Sequence, residues 1–248
     1  PIIIAMRRAI ITGIRRIGYE VAKSLLEDGW VVGLLYKSSE DVVKKLREQF
    51  GERVHAIKAD LSVWHECQRA TVDLIEKMEG VDAFLHLASP YEPTPLHNLK
   101  EEDVDLHFRP IAQAFLVMSK EVYPFMLKNQ STVKGRIVAF GDWATNTTPY
   151  RNYSAYFLAK GAMHTAVKVL AKEFAPHVLV NSIALGPTVK PQDFSEEKWQ
   201  EYINKTPLKR AVSINDVIKL TKFLLEVESM TGEIIMLDSG RHVAGECT

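Results

Sequence analysis

The chain has 248 residues, of which 46% are hydrophobic and 25% are charged. Such a composition is typical of a globular protein with a substantial buried core, and it excludes disordered and fibrous classes. Lys and Arg together number 31, as do Asp and Glu. Because these charges balance, no overall field attracts nucleic acid or an anionic membrane, and we expect neither partner.

The two cysteines, Cys67 and Cys247, are far apart and form no Cys-x-x-Cys or Cys/His pattern. We therefore expect free thiols in a reducing compartment and no metal site. No stretch approaches the roughly 20 apolar residues of a membrane span. The apolar start, residues 1–12, is interrupted by Arg7 and Arg8 and lacks a secretory cleavage pattern, so we interpret it as a strand. These features predict a cytoplasmic protein.

Short apolar runs rich in β-branched residues recur along the chain and predict strands that are buried on both faces. They cover residues 9–12, 30–36, 54–59, 81–88, 135–140, 178–184 and 233–238. Amphipathic stretches with helical periodicity alternate with them, at residues 19–27, 40–50, 64–78, 111–128 and 156–174. The alternation predicts an α/β Rossmann fold: a doubly wound parallel sheet of about seven strands with helices on both faces.

Length alone allows one large domain or two small ones. No Pro- or Gly-rich linker or internal repeat divides the chain, so we expect a single NAD(P)-binding domain over residues 1–248. The longest irregular stretch, residues 186–194, is followed by a charged segment at 195–205 that resembles a solvated helix face. Loops after parallel strands border the ligand crevice, so residues 187–210 are a candidate substrate lid.

The first strand is followed by the sequence TGIRRIG at residues 12–18, which leads into a helix. Gly13 allows a tight turn close to a pyrophosphate, and a helix N-terminus offers free N–H groups to phosphate. An ordinary strand-to-helix turn is the alternative. The position of the glycines at the first such turn favours phosphate binding.

The second strand ends in Tyr36, Lys37 and Ser38, without the acidic residue that NAD-specific folds place on the adenosine ribose. Lys37, with Arg15 or Arg16, could instead neutralise a ribose 2′-phosphate, which favours NADP(H). The alternative is that these are solvated surface cations.

Asp60 and Leu61 follow the third strand. This position suits a carboxylate that accepts a hydrogen bond from the adenine amino group. A helix N-cap is an equally simple explanation of Asp60.

Tyr156 and Lys160 lie four residues apart at the start of a long helix, so the phenol and the ammonium share one face. A nearby ammonium lowers a tyrosine pKa and makes the phenol a better proton donor to a carbonyl or imine. Tyr153, seven residues before Lys160, lies on roughly the same face and competes for the role. We favour Tyr156.

In this order and spacing the motifs resemble those of the short-chain dehydrogenase/reductase family. The resemblance rests on residues 12–18, Tyr156 with Lys160, NSIALGPT at 181–188 and TGEIIMLDSG at 231–240. It covers essentially the whole chain and implies a Rossmann fold, a nicotinamide cofactor and a homotetramer, with a homodimer as the alternative. The implied cofactor site comprises Gly13, Arg15, Arg16, Ile17, Gly18, Tyr36, Lys37, Ser38, Asp60, Leu61, Ala88, Ser89, Lys160, Gly186, Pro187 and Thr188.

Within that family the chain resembles the pteridine reductases, whose glycine turn is also basic. Tyr91 in the segment ASPYEPTPL (88–96) falls where their aromatic residue stacks on the pterin, and Ser89 would line the same pocket. Asp142 stands where most of the wider family has serine and the pteridine reductases have aspartate. A carboxylate beside Tyr156 would oppose the lysine and keep the phenol protonated. A turn-forming aspartate is the alternative.

Several positions depart from the family pattern. The glycine turn is one residue short, and the spacing from Asp142 to Tyr156 is one residue long. Leu87 and Arg109 each replace a family asparagine, and Arg109 is either a substrate contact or a surface residue. His86 is interpreted as a hydrogen-bonded core histidine, and Trp143 and Trp199 either flank the cleft or pack in the core.

The sequence therefore predicts an NADPH-dependent reductase of a C=N or C=O bond in a small substrate, such as a dihydropteridine that becomes a tetrahydropteridine. Tyr156 would give the proton and Lys160 would orient the cofactor ribose. Asp142, Ser89 and Tyr91 would hold the substrate. The alternatives are a reductase of 3-oxoacyl thioesters or other ketones, and a dinucleotide-sensing protein that performs no chemistry.

Overall fold

A computed structural model describes residues 6–245 of the chain. Residues 1–5 of the predicted first strand, and Cys247, lie outside the described residues. Seven strands are present in the described part: β1 Arg8–Thr12, β2 Val31–Tyr36, β3 Val54–Lys58, β4 Ala83–His86, β5 Gly135–Asp142, β6 Val178–Leu185 and β7 Ile234–Leu237. The eight α-helices of residues 6–245 are α1 Ile17–Glu27, α2 Glu40–Phe50, α3 Trp64–Met78, α4 Glu101–Phe108, α5 Ala114–Met126, α6 Ser154–Phe174, α7 Glu196–Asn204 and α8 Ile214–Leu224.

The strands form one sheet in the order β3-β2-β1-β4-β5-β6-β7, and every pair of neighbours is parallel. This confirms the predicted doubly wound Rossmann fold. The chain reverses its direction of winding between β1 and β4, and a crevice opens at such a point beyond the carboxyl ends of the strands.

Two hydrophobic clusters cover the two faces of the sheet, as the alternating strands and helices require. On one face α3, α5 and α6 pack on the strands through residues such as Phe84 and Phe115. On the other, α1, α2 and α8 pack through residues such as Leu34 and Ile183. Successive side chains of a strand point to opposite faces, so uniformly apolar strands suit a sheet that is covered on both sides.

The predicted helix over residues 111–128 is interrupted in the structure. A π turn at Arg109–Gln113 joins α4 to α5, and Pro110 stands at its beginning. Proline has no N–H to donate and its ring displaces the preceding turn, which is a common cause of such irregularities. The predicted solvated face of segment 195–205 is present on one side of α7, where Glu196 and Glu197 are exposed, whereas Trp199, Tyr202 and Ile203 on the other side are partly or fully buried.

No helix in the span 6–245 combines the length and the apolar character that crossing a membrane requires.

Candidate active site

A cavity of about 520 Å³ lies where β1, β4, β5 and β6 end. The residues that line it come from the glycine turn, from the loops after these strands and from α7. They are Gly13, Arg15, Arg16, Ile17, Gly18, Leu87, Ser89, Tyr91, Phe140, Gly141, Asp142, Tyr150, Tyr153, Tyr156, Lys160, Leu185, Gly186, Pro187, Thr188, Val189, Pro191, Phe194, Lys198, Trp199 and Tyr202. The structure thus brings together both predicted glycines, both arginines, the three predicted catalytic residues and the segment from Gly186 to Thr188.

Asp142, Tyr156 and Lys160 meet at the inner end of this cavity. The Tyr156 hydroxyl donates to Asp142 Oδ2 at 3.0 Å. Lys160 Nζ donates to the Phe140 carbonyl oxygen at 2.8 Å and lies 5.6 Å from the centre of the Tyr156 ring. The side chains are held by the end of β5 and the first two turns of α6, so their positions depend on the core and not on a loop.

Burial dominates the electrostatics of the three groups. Burial, and then the neighbouring Asp142 carboxylate, raise the pKa of Tyr156 well above its ordinary value. Burial also raises the pKa of Asp142, although the Ala144 N–H, the Tyr156 hydroxyl and the Lys160 ammonium oppose it. Burial lowers the pKa of Lys160 to about 8 against the attraction of Asp142. The net shift of the tyrosine pKa is upward because burial and Asp142 outweigh the effect expected of Lys160, so the phenol stays protonated at neutral pH.

Asp142 also accepts a hydrogen bond from the Ala144 N–H at 2.8 Å through Oδ1. The turn-forming role and the contact with Tyr156 therefore coexist, because each oxygen of the carboxylate serves one of them. The carboxylate cannot rotate freely, which fixes Oδ2 toward the phenol.

Four tyrosines form one wall of the cavity. The rings of Tyr91 and Tyr153 stack at 4.4 Å, and Tyr91 meets Tyr156 edge-on at 4.9 Å. The Tyr91 hydroxyl lies 2.8 Å from that of Tyr150. Tyr153 covers one face of Tyr91, so a flat substrate has only the opposite face to stack on. Tyr156, and not the competing Tyr153, is the phenol that contacts Asp142.

The glycine turn closes tightly against the loop after β4. Gly13 has a φ of 67°, and a Cβ there would collide with the main chain of Leu87 and Ala88. A Cβ on Gly18 would collide with the Gly13 carbonyl. No side chain in the described part of the chain caps the N-terminus of α1, which leaves its first N–H groups without a side-chain acceptor. Both features suit an anion at this helix end.

Arg15 and Lys37 are paired with carboxylates at the far side of the glycine turn. Arg15 Nη2 lies 3.0 Å from Asp41 Oδ1 and donates to the Ser38 carbonyl at 2.9 Å. Lys37 Nζ lies 2.7 Å from Asp60 Oδ2. Tyr36, Lys37, Ser38, Asp60, Leu61 and Ala88 do not line the cavity. Tyr36, Lys37 and Ser38 lie at the end of β2, and Asp60 and Leu61 follow β3. The Ala88 N–H donates to the Thr12 hydroxyl at 3.3 Å.

The alternative explanation of Asp60 as a helix N-cap is wrong. α3 begins at Trp64, and Val63 is the residue that precedes it. Asp60 Oδ1 instead accepts from the N–H and the hydroxyl of Ser62, at 2.9 and 2.7 Å, in a turn ahead of the helix.

Arg16 joins the glycine turn to the segment that covers the cavity. Its Nη2 donates to the Lys190 carbonyl oxygen at 2.7 Å. Its backbone has a φ of 54°, in the left-handed region that a residue with a side chain rarely adopts.

Residues 13–242 match the family model described as enoyl-(acyl carrier protein) reductase, whose family is that of the short-chain oxidoreductases. The chain belongs to the short-chain dehydrogenase/reductase family. This confirms the resemblance seen in the sequence. The finer likeness to one branch of the family is a matter of function and is argued below.

Two relatives of this short-chain dehydrogenase/reductase span nearly the whole chain. The uncharacterized oxidoreductase YmfI of Bacillus subtilis is 27% identical, with 95% of this chain and 99% of the relative covered. The 3-oxoacyl-[acyl-carrier-protein] reductase FabG of Buchnera aphidicola is 28% identical, with 95% and 97% covered.

Among solved structures, the FolM alternative dihydrofolate reductase 1 of Brucella canis, complexed with NADP, superimposes with a TM-score of 0.88. It is 24% identical, and the match covers 97% of this chain and 96% of that one. At this identity the likeness supports the fold alone.

The structure shows the contacts of the two residues that replace a family asparagine. Leu87 lines the cavity, and its N–H donates to the Thr12 carbonyl at 3.3 Å. Arg109 pairs with Asp105 at 2.8 Å, both side chains are about half exposed, and Arg109 does not line the cavity, which favours the alternative of a surface residue.

His86, the last residue of β4, makes polar contacts at the carboxyl end of this strand. It is 1% exposed, with Nδ1 2.8 Å from the Thr12 hydroxyl and Nε2 3.0 Å from the Ile111 carbonyl. The interpretation of His86 as a hydrogen-bonded core histidine is confirmed. Trp143 is buried beneath the Arg241 guanidinium and does not line the cavity, whereas Trp199 does.

Sequence reasoning predicted a lid over residues 187–210 but did not assign several of the side chains that line the cavity. The missed lining residues include Tyr150, Phe194, Lys198 and Tyr202. Three of the lining residues, Lys198, Trp199 and Tyr202, have the spacing of one helical face, which is a signal that the sequence of α7 does contain. No group of His, Cys, Asp and Glu suited to a metal ion occurs among residues 6–245.

Proposed function

We propose that the protein is an NADPH-dependent reductase that adds hydride to a C=N or C=O bond of a small, flat, pteridine-like substrate. The observation that carries the proposal is the partly buried hydrogen bond from the Tyr156 hydroxyl to Asp142. A serine at position 142 could not hold a negative charge against the phenol. The carboxylate keeps the proton on Tyr156 and offers an acceptor to the N–H groups of a pterin edge.

The residues around the glycine turn fit a dinucleotide. The uncapped N-terminus of α1 and the Arg16 guanidinium supply donors for a pyrophosphate. Gly186 and Thr188 line the same side of the cavity, and Lys160 lies where its ammonium can bind a ribose hydroxyl. When bound, the nicotinamide supplies the hydride.

Arg15 supports a preference for NADPH. Its guanidinium lies at the end of β2, beside the Ser38 carbonyl, where an acidic residue would otherwise select NAD. Its partner Asp41 is 68% exposed, so a 2′-phosphate can compete with this carboxylate for the arginine. The Lys37 side chain, which pairs with Asp60, is 70% exposed, so its ammonium can contact the same 2′-phosphate.

The proton follows a short path through the chain's own groups. Tyr156 donates its hydroxyl proton to the nitrogen or oxygen of the bond that is reduced. The resulting phenolate is stabilised by the Lys160 ammonium, which lies over the same ring. Between turnovers Asp142 accepts the hydrogen bond of the Tyr156 hydroxyl and so favours the protonated phenol. Tyr91 and Ser89 hold the substrate plane, and residues 187–210 act as the lid.

A second candidate is reduction of a 3-oxoacyl thioester, and the relation to the 3-oxoacyl-[acyl-carrier-protein] reductase of Buchnera aphidicola favours it. A flexible acyl chain needs an open apolar channel. The tyrosine hydroxyls and the Asp142 carboxylate make this cavity polar, so it suits a flat polar substrate better than a flexible acyl chain.

The test is the initial rate of NADPH and NADH oxidation by the purified protein with dihydrobiopterin and with an acetoacetyl thioester. Faster NADPH oxidation with the pterin supports the proposal. Activity with the thioester alone replaces the pterin by the second candidate. NADPH binding without turnover of either compound would favour a dinucleotide sensor.

A further inference from the structure

Helix α4 buries a histidine and exposes the apolar side chains next to it. His107 is 0% exposed, whereas its neighbours Leu106 and Phe108 are 47% and 37% exposed. Among the residues of α4, all of which the structure describes, His107 alone is buried. A fully buried polar side chain has to be hydrogen-bonded, so its partners indicate why a histidine stands here.

The two ring nitrogens of His107 have partners of opposite kind. Nδ1 lies 2.7 Å from the Asp103 carbonyl oxygen, one turn earlier in α4. Nε2 lies 3.0 Å from the backbone nitrogen of Glu92. A carbonyl oxygen only accepts and a backbone N–H only donates, so Nδ1 carries the proton and Nε2 accepts. The neutral imidazole therefore joins α4 to the main chain of the residue that follows Tyr91.

The same imidazole contacts the ring of the proton donor. The rings of His107 and Tyr156 meet edge-on with their centres 6.5 Å apart, which is within the range of favourable aromatic contacts. Tyr91 meets the Tyr156 ring edge-on as well, at 4.9 Å. His107 is thus connected to Tyr91 in two ways, through the Glu92 N–H and through the Tyr156 ring.

The segment that carries Tyr91 has no regular structure between residues 87 and 93, so its position depends on contacts of this kind. On its far side, Thr94 is fixed to α6, because the Ala155 N–H donates to the Thr94 hydroxyl at 3.2 Å. On the side of Tyr91, the Glu92 N–H is fixed to α4 by His107. The contact of Tyr91 with Tyr150, by contrast, comes from the loop ahead of α6.

We propose that His107 is a positioning residue of the active site, which holds the Tyr91 ring against Tyr156 through the N–H of Glu92. The role rests on the proposed function, in which Tyr91 holds the substrate plane. His107 does not line the cavity, so its effect on the substrate passes through Tyr91. Loss of the acceptor at Nε2 loosens the Tyr91 ring and weakens substrate binding, while Tyr156 keeps its place in α6 and still donates its proton.

The test uses two substitutions that separate the acceptor from the ring. His107→Phe keeps a ring beside Tyr156 and removes both nitrogens, whereas His107→Gln keeps an amide oxygen that can accept the Glu92 N–H. The matched control is Thr221→Val, which removes a buried hydroxyl that donates to the Val217 carbonyl at 2.7 Å in α8, outside the cavity. For each protein, kcat and KM with dihydrobiopterin, NADPH binding and Tm are measured.

In His107→Phe we expect KM for dihydrobiopterin to rise about three- to tenfold, the loss of one hydrogen bond, with kcat changed by less than about twofold. His107→Gln should restore most of the wild-type KM, and Thr221→Val should lower Tm and leave KM unchanged. The decisive comparison adds Tyr91→Leu. In that background His107→Phe should have no further effect on KM, because the ring through which it acts is gone.

A second measurement needs no substrate. The Tyr91 ring stacks on Tyr153 at 4.4 Å, which displaces its NMR signals from those of an exposed tyrosine. With ¹³C-labelled tyrosine rings, the Tyr91 signal is the one that Tyr91→Leu removes. It should move toward the position of an exposed tyrosine in His107→Phe and stay in place in Thr221→Val.

An unmoved Tyr91 signal in His107→Phe would overturn the positioning role. The same rise in KM with and without the Tyr91 ring would overturn it too, as would a fall in kcat at constant KM. If His107→Phe does not fold, His107→Met, of similar volume, replaces it in each comparison. A wild-type protein that reduces no pterin overturns the proposed function, and the Tyr91 signal then still decides the role of His107.

Discussion

Replacing Asp142 by Asn removes the negative charge beside Tyr156 and keeps the size of the side chain. The carboxylate accepts the Tyr156 hydroxyl at 3.0 Å, and Tyr156 is buried while Asp142 is partly buried. A charge-assisted hydrogen bond in such surroundings contributes about 1.5–3 kcal/mol. If the bond also holds the phenol for proton transfer, kcat/KM with dihydrobiopterin should fall by about 10- to 100-fold.

The pH profile of the same variant supplies a second measurement. Proton donation requires a protonated Tyr156, and Lys160 has a pKa of about 8. Wild-type activity should therefore fall as the pH rises through about 8. The Asp142 charge raises the pKa of both Tyr156 and Lys160, so its loss lowers both values and moves the alkaline limb to lower pH.

The matched control is Asp105→Asn, which neutralises a half-exposed carboxylate that pairs with Arg109 outside the cavity. Its rate and profile should equal those of the wild type. An Asp142→Asn protein with an unchanged alkaline limb would refute the argument, because the carboxylate would then have no electrostatic influence on the proton donor.

Three further outcomes are expected. Tyr156→Phe should lower kcat by about 100-fold or more with little change in NADPH binding, whereas Tyr153→Phe should keep most of the activity; equal losses would return Tyr153 to the role of donor. Arg15→Ala should raise KM for NADPH about tenfold and leave KM for NADH unchanged. A parallel rise in both KM values would contradict a contact between Arg15 and the 2′-phosphate. Burial lowers the pKa of His86 and of His164 to about 4. Since both are neutral in the fold, stability should decrease as the pH falls from about 6.5 toward 4, measurable as a falling Tm.

Much of the fold follows from local pattern. Each strand of a sheet covered on both faces is apolar throughout, and each intervening helix has one apolar stripe, so alternation alone indicates the parallel sheet. The π turn at Arg109–Gln113 was missed because the spacing of apolar residues predicts a helix but does not distinguish a π turn from regular α-helical turns. The short α4 was missed because a single apolar turn in Glu101–Phe108 gives little periodic signal.

The candidate site was predictable where chemistry depends on spacing along one element. Tyr156 and Lys160 share a helix, and the position of Asp142 follows from the end of β5. Long-range pairing was not predictable: Asp41 and Asp60 neutralise Arg15 and Lys37 across turns that no local pattern orients. The same holds for the contact between Tyr91 and Tyr150, which are 59 residues apart in sequence.

The proton donor and the walls of the cavity around it are held by different parts of the fold. Asp142, Tyr156 and Lys160 are anchored in β5 and α6, within the core. Phe194, Tyr91 and Tyr150 belong to loops, and Lys198 belongs to the short α7. Substitutions in these outer segments can alter which molecule is admitted without disturbing the donor, since loops tolerate change far better than a packed sheet. Changes in substrate range therefore disturb the fold little, whereas a change of reaction type would require substitutions in the core.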